Sequence, residues 1–250
     1  MNAISFKIRL NSLYSIRIPY TWQSALVYPI LPPSAVIGLL ANALQRWKND
    51  KRPMEYLDEV EKNVGWAGAR LLSPAVIKSY TTSAITNWEV KLGGKSTNAL
   101  GRQYGFAKNI EITAAIKNED FCEELIIALQ NSPVVCGDSE SIATIEEIHP
   151  HLKCEEREEE ADSKIETSYP FPFDFELIRL IDNSGSLYMV HERCKKKKER
   201  EKDFPLRTYI FPLEKREGIY YPVELSVEVK VPVKVIEIER IGKVIKQLLN

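Results

Sequence analysis

The order of hydrophobic patterns predicts an α+β fold with a ferredoxin-like core. Three observations carry this expectation. A period-two strand opens the chain, with Ile4, Phe6, Ile8 and Leu10 alternating with polar neighbours. Two amphipathic helices follow at wide spacing, near residues 34–47 and 119–129. Strand-like stretches fill the intervals, so the chain up to residue 148 reads strand, helix, strands, helix, strand. RNA-recognition motifs share that architecture.

The first strand resumes at Tyr14, Ile16 and Ile18 after Asn11-Ser12, which predicts a bend or bulge. Pro32-Pro33-Ser34 leads into the first helix, with Ser34 as N-cap. Ala35, Val36, Leu39, Leu40, Ala43, Leu44 and Trp47 share one of its faces. A shorter helix covers Met54 to Val64. Val76 to Tyr80, Ala84 to Leu92 and Ile110 to Ile116 have strand character around a mobile Gly-rich loop at about 92–105. Phe121, Leu125, Ile126 and Leu129 line one face of the next helix, which ends at Asn131-Ser-Pro. Ser141 to Ile148 is a strand.

Residues 153–164 are acidic and polar and read as an exposed linker. A strand-rich subdomain over 165–250 follows, forming a second sheet against a core of residues 1–152. One hairpin pairs Phe173–Ile181 with Leu187–Val190, and another pairs Arg207–Leu213 with Val223–Val229. The spacing at Ile241 to Leu249 predicts a short final helix.

Of the 250 residues, 44% are hydrophobic and 28% charged, as in a soluble globular protein. No apolar run approaches the roughly 20 residues of a membrane span. The start, Met1-Asn-Ala-Ile-Ser-Phe-Lys, lacks the order of a signal peptide, so a cytoplasmic location is expected. The net charge of −1 conceals segregation. Residues 65–118 carry seven Lys/Arg against two acids, and 119–176 carry three against seventeen. Residues 177–216 carry eleven against six, so basic faces capable of attracting phosphates are compatible with the neutral total.

The stretch Tyr28-Pro-Ile-Leu-Pro-Pro-Ser-Ala-Val-Ile-Gly-Leu-Leu stiffens a helix entry whose free N–H groups suit an anion. On its residues alone it reads more readily as ordinary capping and packing on a sheet. Gly38 lies inside the helix, where glycine costs about 1 kcal/mol relative to alanine. A close neighbour, backbone or RNA, would account for it.

This stretch resembles the Tyr-Pro-x-x-Pro-Pro-Ser-x-x-x-Gly-Leu signature of the Cas-five family, a branch of the repeat-associated (RAMP) CRISPR proteins. Arg102-Gln-Tyr104 before a strand is similar to the family's Arg-x-Tyr after its thumb. Gly137-Asp-Ser-Glu-Ser141 resembles the Gly-x-Ser-Glu-Ser segment after its second helix. The three occur in family order and span about residues 4–148; archaeal type I-A members are the most similar.

The resemblance implies a ferredoxin-like RAMP domain with a β-hairpin thumb and a non-catalytic place at one end of a Cascade-type complex. It also implies a grip on the 5′ handle of the CRISPR RNA and contact with the backbone subunit. Other interference-complex subunits would be partners, with target DNA met indirectly. Lys91, Lys95 and Arg102 suit phosphates, and Tyr28 and Tyr104 suit stacking on unpaired bases. Ser34 at the helix start, and Gly137 to Ser139, suit phosphates through backbone N–H groups. Each lysine reads also as a solvated charge, and each tyrosine as core.

Neither cofactor nor metal is expected. Cys136, His149, His151 and Cys154 offer four ligands in a spacing that matches no common zinc module. Some type I-C relatives cut precursor RNA with Tyr, Lys and His; here His191, beside Arg193 and Lys195 to Lys198, is the one histidine in a basic setting. Two alternatives to an RNA-binding scaffold therefore remain: an endoribonuclease using His191, and a protein–protein adaptor working through acidic residues 119–176.

Overall fold

The structure, a computed structural model, describes residues 1–21, 24–87, 96–138, 140–182, 184–194 and 206–249. The chain begins with β1 (Asn2–Leu10), β2 (Ser24–Ala25), α1 (Pro33–Lys48) and α2 (Pro53–Asn63). Next come β3 (Val64–Leu71), β4 (Ala75–Asn87), β5 (Ser96–Ala107), β6 (Asn109–Ile116) and α3 (Glu119–Asn131). β7 (Val134–Val135) and β8 (Ile142–Glu159) lead into the C-terminal part. There lie β9 (Ser163–Thr167), β10 (Phe171–Pro172), β11 (Ile178–Asp182), β12 (Ser186–Val190) and β13 (Arg207–Phe211). β14 (Leu213–Arg216), β15 (Ile219–Pro222), β16 (Leu225–Val229), β17 (Val233–Ile238) and β18 (Gly242–Leu248) complete it.

A mixed α/β, strand-rich architecture results. The principal sheet runs β18-β17-β8-β1-β6-β3, with β7 beside β8. Within it, β1 lies antiparallel to both β6 and β8. Ile4, Phe6 and Ile8 of β1 face the helices, and with α1 and α3 they build the largest apolar core. α1 follows from its sequence: Pro33 presets φ at the first turn, and Asn49 closes the last in the left-handed conformation. α3 is capped by Asn118, whose side chain accepts the Phe121 N–H at 3.0 Å, with Glu119 and Asp120 at the positive end of the dipole.

The opposite face of the sheet is also covered. Ala3, Trp66, Ala115, Leu152, Tyr169 and Ile236 form a second cluster there. The Tyr169 hydroxyl lies 2.9 Å from Glu111 and 2.8 Å from Thr113, and Glu111 pairs with Arg70 at 2.5 Å.

Several expectations are corrected. The stretch 153–164 is no linker: β8 extends to Glu159, its far half pairs with β17, and β9 begins at Ser163. Leu152 and Cys154 are buried and residues 155–158 are exposed, and Lys243 and Lys246 of β18 pair with Glu159 and Glu156. The final helix is strand β18. Arg240 and Gly242, both at positive φ, turn the chain back so that Val244 and Ile245 pair with Ile236 and Val235. Pairing within this tight hairpin overrides a helical spacing.

The chain after Leu10 leaves the principal sheet, and Tyr14 instead exchanges backbone hydrogen bonds with Gly105 at 2.9 and 2.8 Å. β11 pairs with β16 and β12 with β13, so the expected hairpin of 173–190 does not form. The tight hairpin near Gly218 joins β14 to β15. The C-terminal strands divide among several sheets rather than building one, so residues 165–250 do not form a separate layer. Residues 96–105 of the supposed loop are strand, paired along β4; the rest of it, 92–95, lies outside the described residues.

Candidate nucleic-acid interface

β4 and β5 form a long antiparallel hairpin, joined on one side by β15 and β14 and on the other by β2. Its register decides which side chains face the body of the protein. Gln103 and Gly105 face inward: the Gln103 amide oxygen accepts the Val27 N–H at 3.2 Å, and the Tyr14 ring lies against Gly105. Arg102 and Tyr104 fall on the other face, opposite Tyr80 and Lys78.

Arg102 also borders a cleft of about 550 Å³, within the size range of small-ligand sites. Ala35, Gly38, Leu39 and Asn42 of α1 form one wall; Ser15, Ile16 and Arg17 form another, and Val135, Gly137 and Asp138 a third. The Arg102 guanidinium pairs with Asp138 at 3.0 Å and lies 4.8 Å over the Tyr104 ring. A side-chain Cβ at Gly38 would meet nothing within 4 Å, so the glycine keeps this wall open rather than admitting a close protein neighbour. Gly137 has φ +98°, and a Cβ there would lie 2.8 Å from the Ser15 carbonyl oxygen. Only glycine allows that approach. Asp138 is tied further by the Ser141 hydroxyl, whose single proton faces both the Asp138 carboxylate and the Leu13 carbonyl, the latter at 3.0 Å.

Among the described residues, two polar atoms of side chains that line this cleft are buried without a partner: Arg102 Nε and Asn42 Oδ1. Buried polar atoms are normally satisfied, so an unpaired donor and acceptor here mark a place that a bound water or a polar ligand would complete. A guanidinium, an amide and a close-approaching backbone suit a phosphate with its attached sugar or base.

The other expected site residues are distributed differently. Tyr28 is a core residue, 2% exposed. Its hydroxyl donates to the Met189 carbonyl at 2.5 Å, and its ring packs with Tyr188 and Phe211, so it is not available to stack on a base. Burial pushes its pKa up to about 12. Ser34 is inside α1 rather than its cap, which is Pro32. The Ser34 N–H donates to the His191 carbonyl at 3.3 Å, and the Cys194 thiol donates to the Ser34 carbonyl at 3.4 Å, so the chain itself covers this helix start. Lys91, Lys95, Ser139 and Lys195 to Lys198 lie outside the described residues.

The possible metal ligands are not gathered. Cys136 is buried in the main core, where burial drives its thiol pKa far up, and Cys154 belongs to the cluster on the other sheet face. His149 and His151 sit on β8 beside Glu147 and Glu123. Among the described residues, no group of three or more metal-ligating side chains converges. Sequence reading passed over Asn42 and Asp138. Ala35, Gly38 and Asn42 share a helix face, and this small-residue stripe ending in an amide was the available signal.

A family model described as CRISPR-associated protein (Cas_Cas5) matches residues 6–219. The chain belongs to this family. No curated protein matches it. The crystal structure of a CRISPR protein from Archaeoglobus fulgidus is similar over 100% of both chains, with 15% identity and a TM-score of 0.60. At that identity the likeness speaks for the fold. A chain of a CRISPR RNA-guided surveillance complex aligns at 14% identity over 89% of this chain and 91% of its own, with a TM-score of 0.42. A chain of the type III-B Cmr-beta complex bound to cognate target RNA and AMPPnP aligns at 10% identity over 87% and 85%, with a TM-score of 0.46. The last two are too distant to carry an argument. The Cas-five assignment covers both the cleft and the β4–β5 hairpin.

Proposed function

We propose that this Cas-five protein is a non-catalytic RNA-binding subunit of a type I CRISPR interference complex. It holds the 5′ handle of the CRISPR RNA and contacts the backbone subunit and other subunits of a Cascade-like assembly, meeting target DNA indirectly. The cleft carries the reading: Arg102, Gly137 and the open Gly38 wall, which lie far apart in sequence, come together around unpaired polar atoms. The sheet order β8-β1-β6-β3 with α1 and α3 on one face supports a ferredoxin-like core. The β4–β5 hairpin inserted between β3 and β6 is the candidate thumb. We place the protein among type I-A systems on its sequence resemblance, and in the cytoplasm on its globular composition; no helix among the described residues is long and apolar enough to cross a membrane.

His191 is 8% exposed, which favours a packing role over RNA cleavage. The test is a titration of labelled repeat RNA with the purified protein, alone and with the backbone subunit, at two salt concentrations, with products run on a gel. Intact RNA is expected, bound with an affinity that falls steeply with salt and falls again in Arg102→Ala. RNA that is cut by the native protein but not by His191→Ala would identify a nuclease. Binding of the backbone subunit without RNA affinity would identify an adaptor.

A further inference from the structure

The outward face of the β14-β15-β4-β5 sheet continues past the hairpin into the C-terminal strands. Phe106 pairs with Val76, Tyr104 with Lys78 and Arg102 with Tyr80, so these six side chains share one face. Val76 in turn pairs with Ile219 of β15, and Ile219 with Arg216 of β14. Tyr221, two residues beyond Ile219, falls on the same face.

A sheet face turned to solvent ordinarily carries polar side chains. This one exposes aromatic rings: Tyr80 at 49%, Phe106 at 46% and Tyr221 at 36%. Tyr104 meets Tyr80 edge-on at 5.9 Å. Cations stand between the rings. Arg102 lies over Tyr104, the Arg216 guanidinium is 5.9 Å from the Tyr221 ring centre, and Lys78 is exposed. Two acids pair with these cations, Glu214 with Arg216 at 2.6 Å and Asp138 with Arg102 at 3.0 Å. Alternate residues on a strand are about 7 Å apart, so the rings form a row of separated platforms rather than one greasy patch.

We propose that this four-strand face is a stacking platform for unpaired bases of single-stranded nucleic acid, with Arg216 and Tyr221 of the C-terminal hairpin as part of it. Rings accept any base through its π face, while the interleaved cations follow the phosphates. Tyrosine, phenylalanine and arginine are enriched at protein interfaces too, so a protein partner is the competing occupant that the RNA titration decides. The family match ends at residue 219, so Tyr221 extends the face beyond the matched segment. The inference rests on the RNA-binding reading and lengthens its site from the Arg102 cleft across the sheet.

The experiment compares the full-length protein with Tyr221→Ala, Tyr80→Ala, Tyr221→Phe and Arg102→Ala. Each is titrated with an oligouridylate of about ten nucleotides and with an RNA duplex of equal length. Both alanine variants at the tyrosines should weaken the single strand by about fivefold or more, while Tyr221→Phe, which keeps the ring, stays near the native value. Duplex binding should not change between these variants. Photocrosslinking with 4-thiouridine in the native protein should label peptides holding Tyr80 or Tyr221, which keeps the test valid if a variant misfolds. If Arg102→Ala weakens RNA binding while the tyrosine variants do not, and no crosslink maps to this face, the platform is refuted and the cleft reading stands. If the protein binds no RNA with or without the backbone subunit, both readings fail.

Discussion

Gly137→Ala should be the costliest small substitution at the cleft. Two terms add. At φ +98° an L side chain is strained, by about 1–2 kcal/mol. The new Cβ would also lie 2.7 Å from Ile16 Cγ1 and 2.8 Å from the Ser15 carbonyl oxygen. A backbone oxygen cannot rotate away, so the 136–141 turn or the 15–16 segment must move, which costs about 1–3 kcal/mol. The sum, about 2–5 kcal/mol, corresponds to a fall in Tm of about 4–20 °C for a chain of this size. Gly218→Ala supplies the control, because Gly218 has φ +81° but nothing within 4 Å of its Cβ. It should pay the backbone term alone and lose only a few degrees. Thermal unfolding followed by circular dichroism, with the two variants side by side, measures the difference. Equal Tm values for the two would refute the claim that close approach, rather than φ alone, requires glycine at 137. Moving this turn also shifts Asp138 away from Arg102, so RNA affinity should fall with stability.

Two further outcomes follow from buried and surface polar groups. Tyr169→Phe removes a hydroxyl that lies 2.9 Å from Glu111 and 2.8 Å from Thr113, and should cost about 1–3 kcal/mol, read as a lower urea midpoint at unchanged slope. The Asp50 carboxyl is held down at about 2, chiefly by the Arg52 guanidinium hydrogen-bonded to it. Its folded pKa lies below the ordinary value near about 3.9, so its contribution is present above that pH and is lost as pH falls through about 2. The Tm gap between the native protein and Asp50→Asn should therefore close over that window, and should shrink at high salt because the pair is at the surface. A gap that widens on acidification would contradict the assignment.

Sequence reading located the local elements well where one face had to be buried. The alternation Ile4, Phe6, Ile8 placed β1 and its inward face, and the apolar stripes of α1 and α3 gave both helices to within a few residues. It failed where partners decide the outcome. Ile241 to Leu249 carries a spacing compatible with a helix, yet β17 lies alongside and pairs with it. The acidic run 153–159 has the composition of a linker, yet β17 supplies a ladder that pairs it from Cys154 to Glu159. The role of Tyr28 is hidden in the sequence for a related reason. A tyrosine in a signature motif looks the same whether it stacks on RNA or fills the core, and only the positions of Tyr188, Phe211 and the Met189 carbonyl distinguish the two.

The amino-acid sequence by itself determined the α+β class, the two helices on the principal sheet, the family signature and the separation of charge along the chain. Each depends on neighbours within a few residues, where periodicity and capping act directly. Tertiary structure alone decided that Gly38, Asn42, Arg102 and Gly137 border one cleft, and that Tyr221 joins the face of Tyr80 and Tyr104. Strand register between segments more than a hundred residues apart is set by the packing of the whole chain, and no local pattern encodes it.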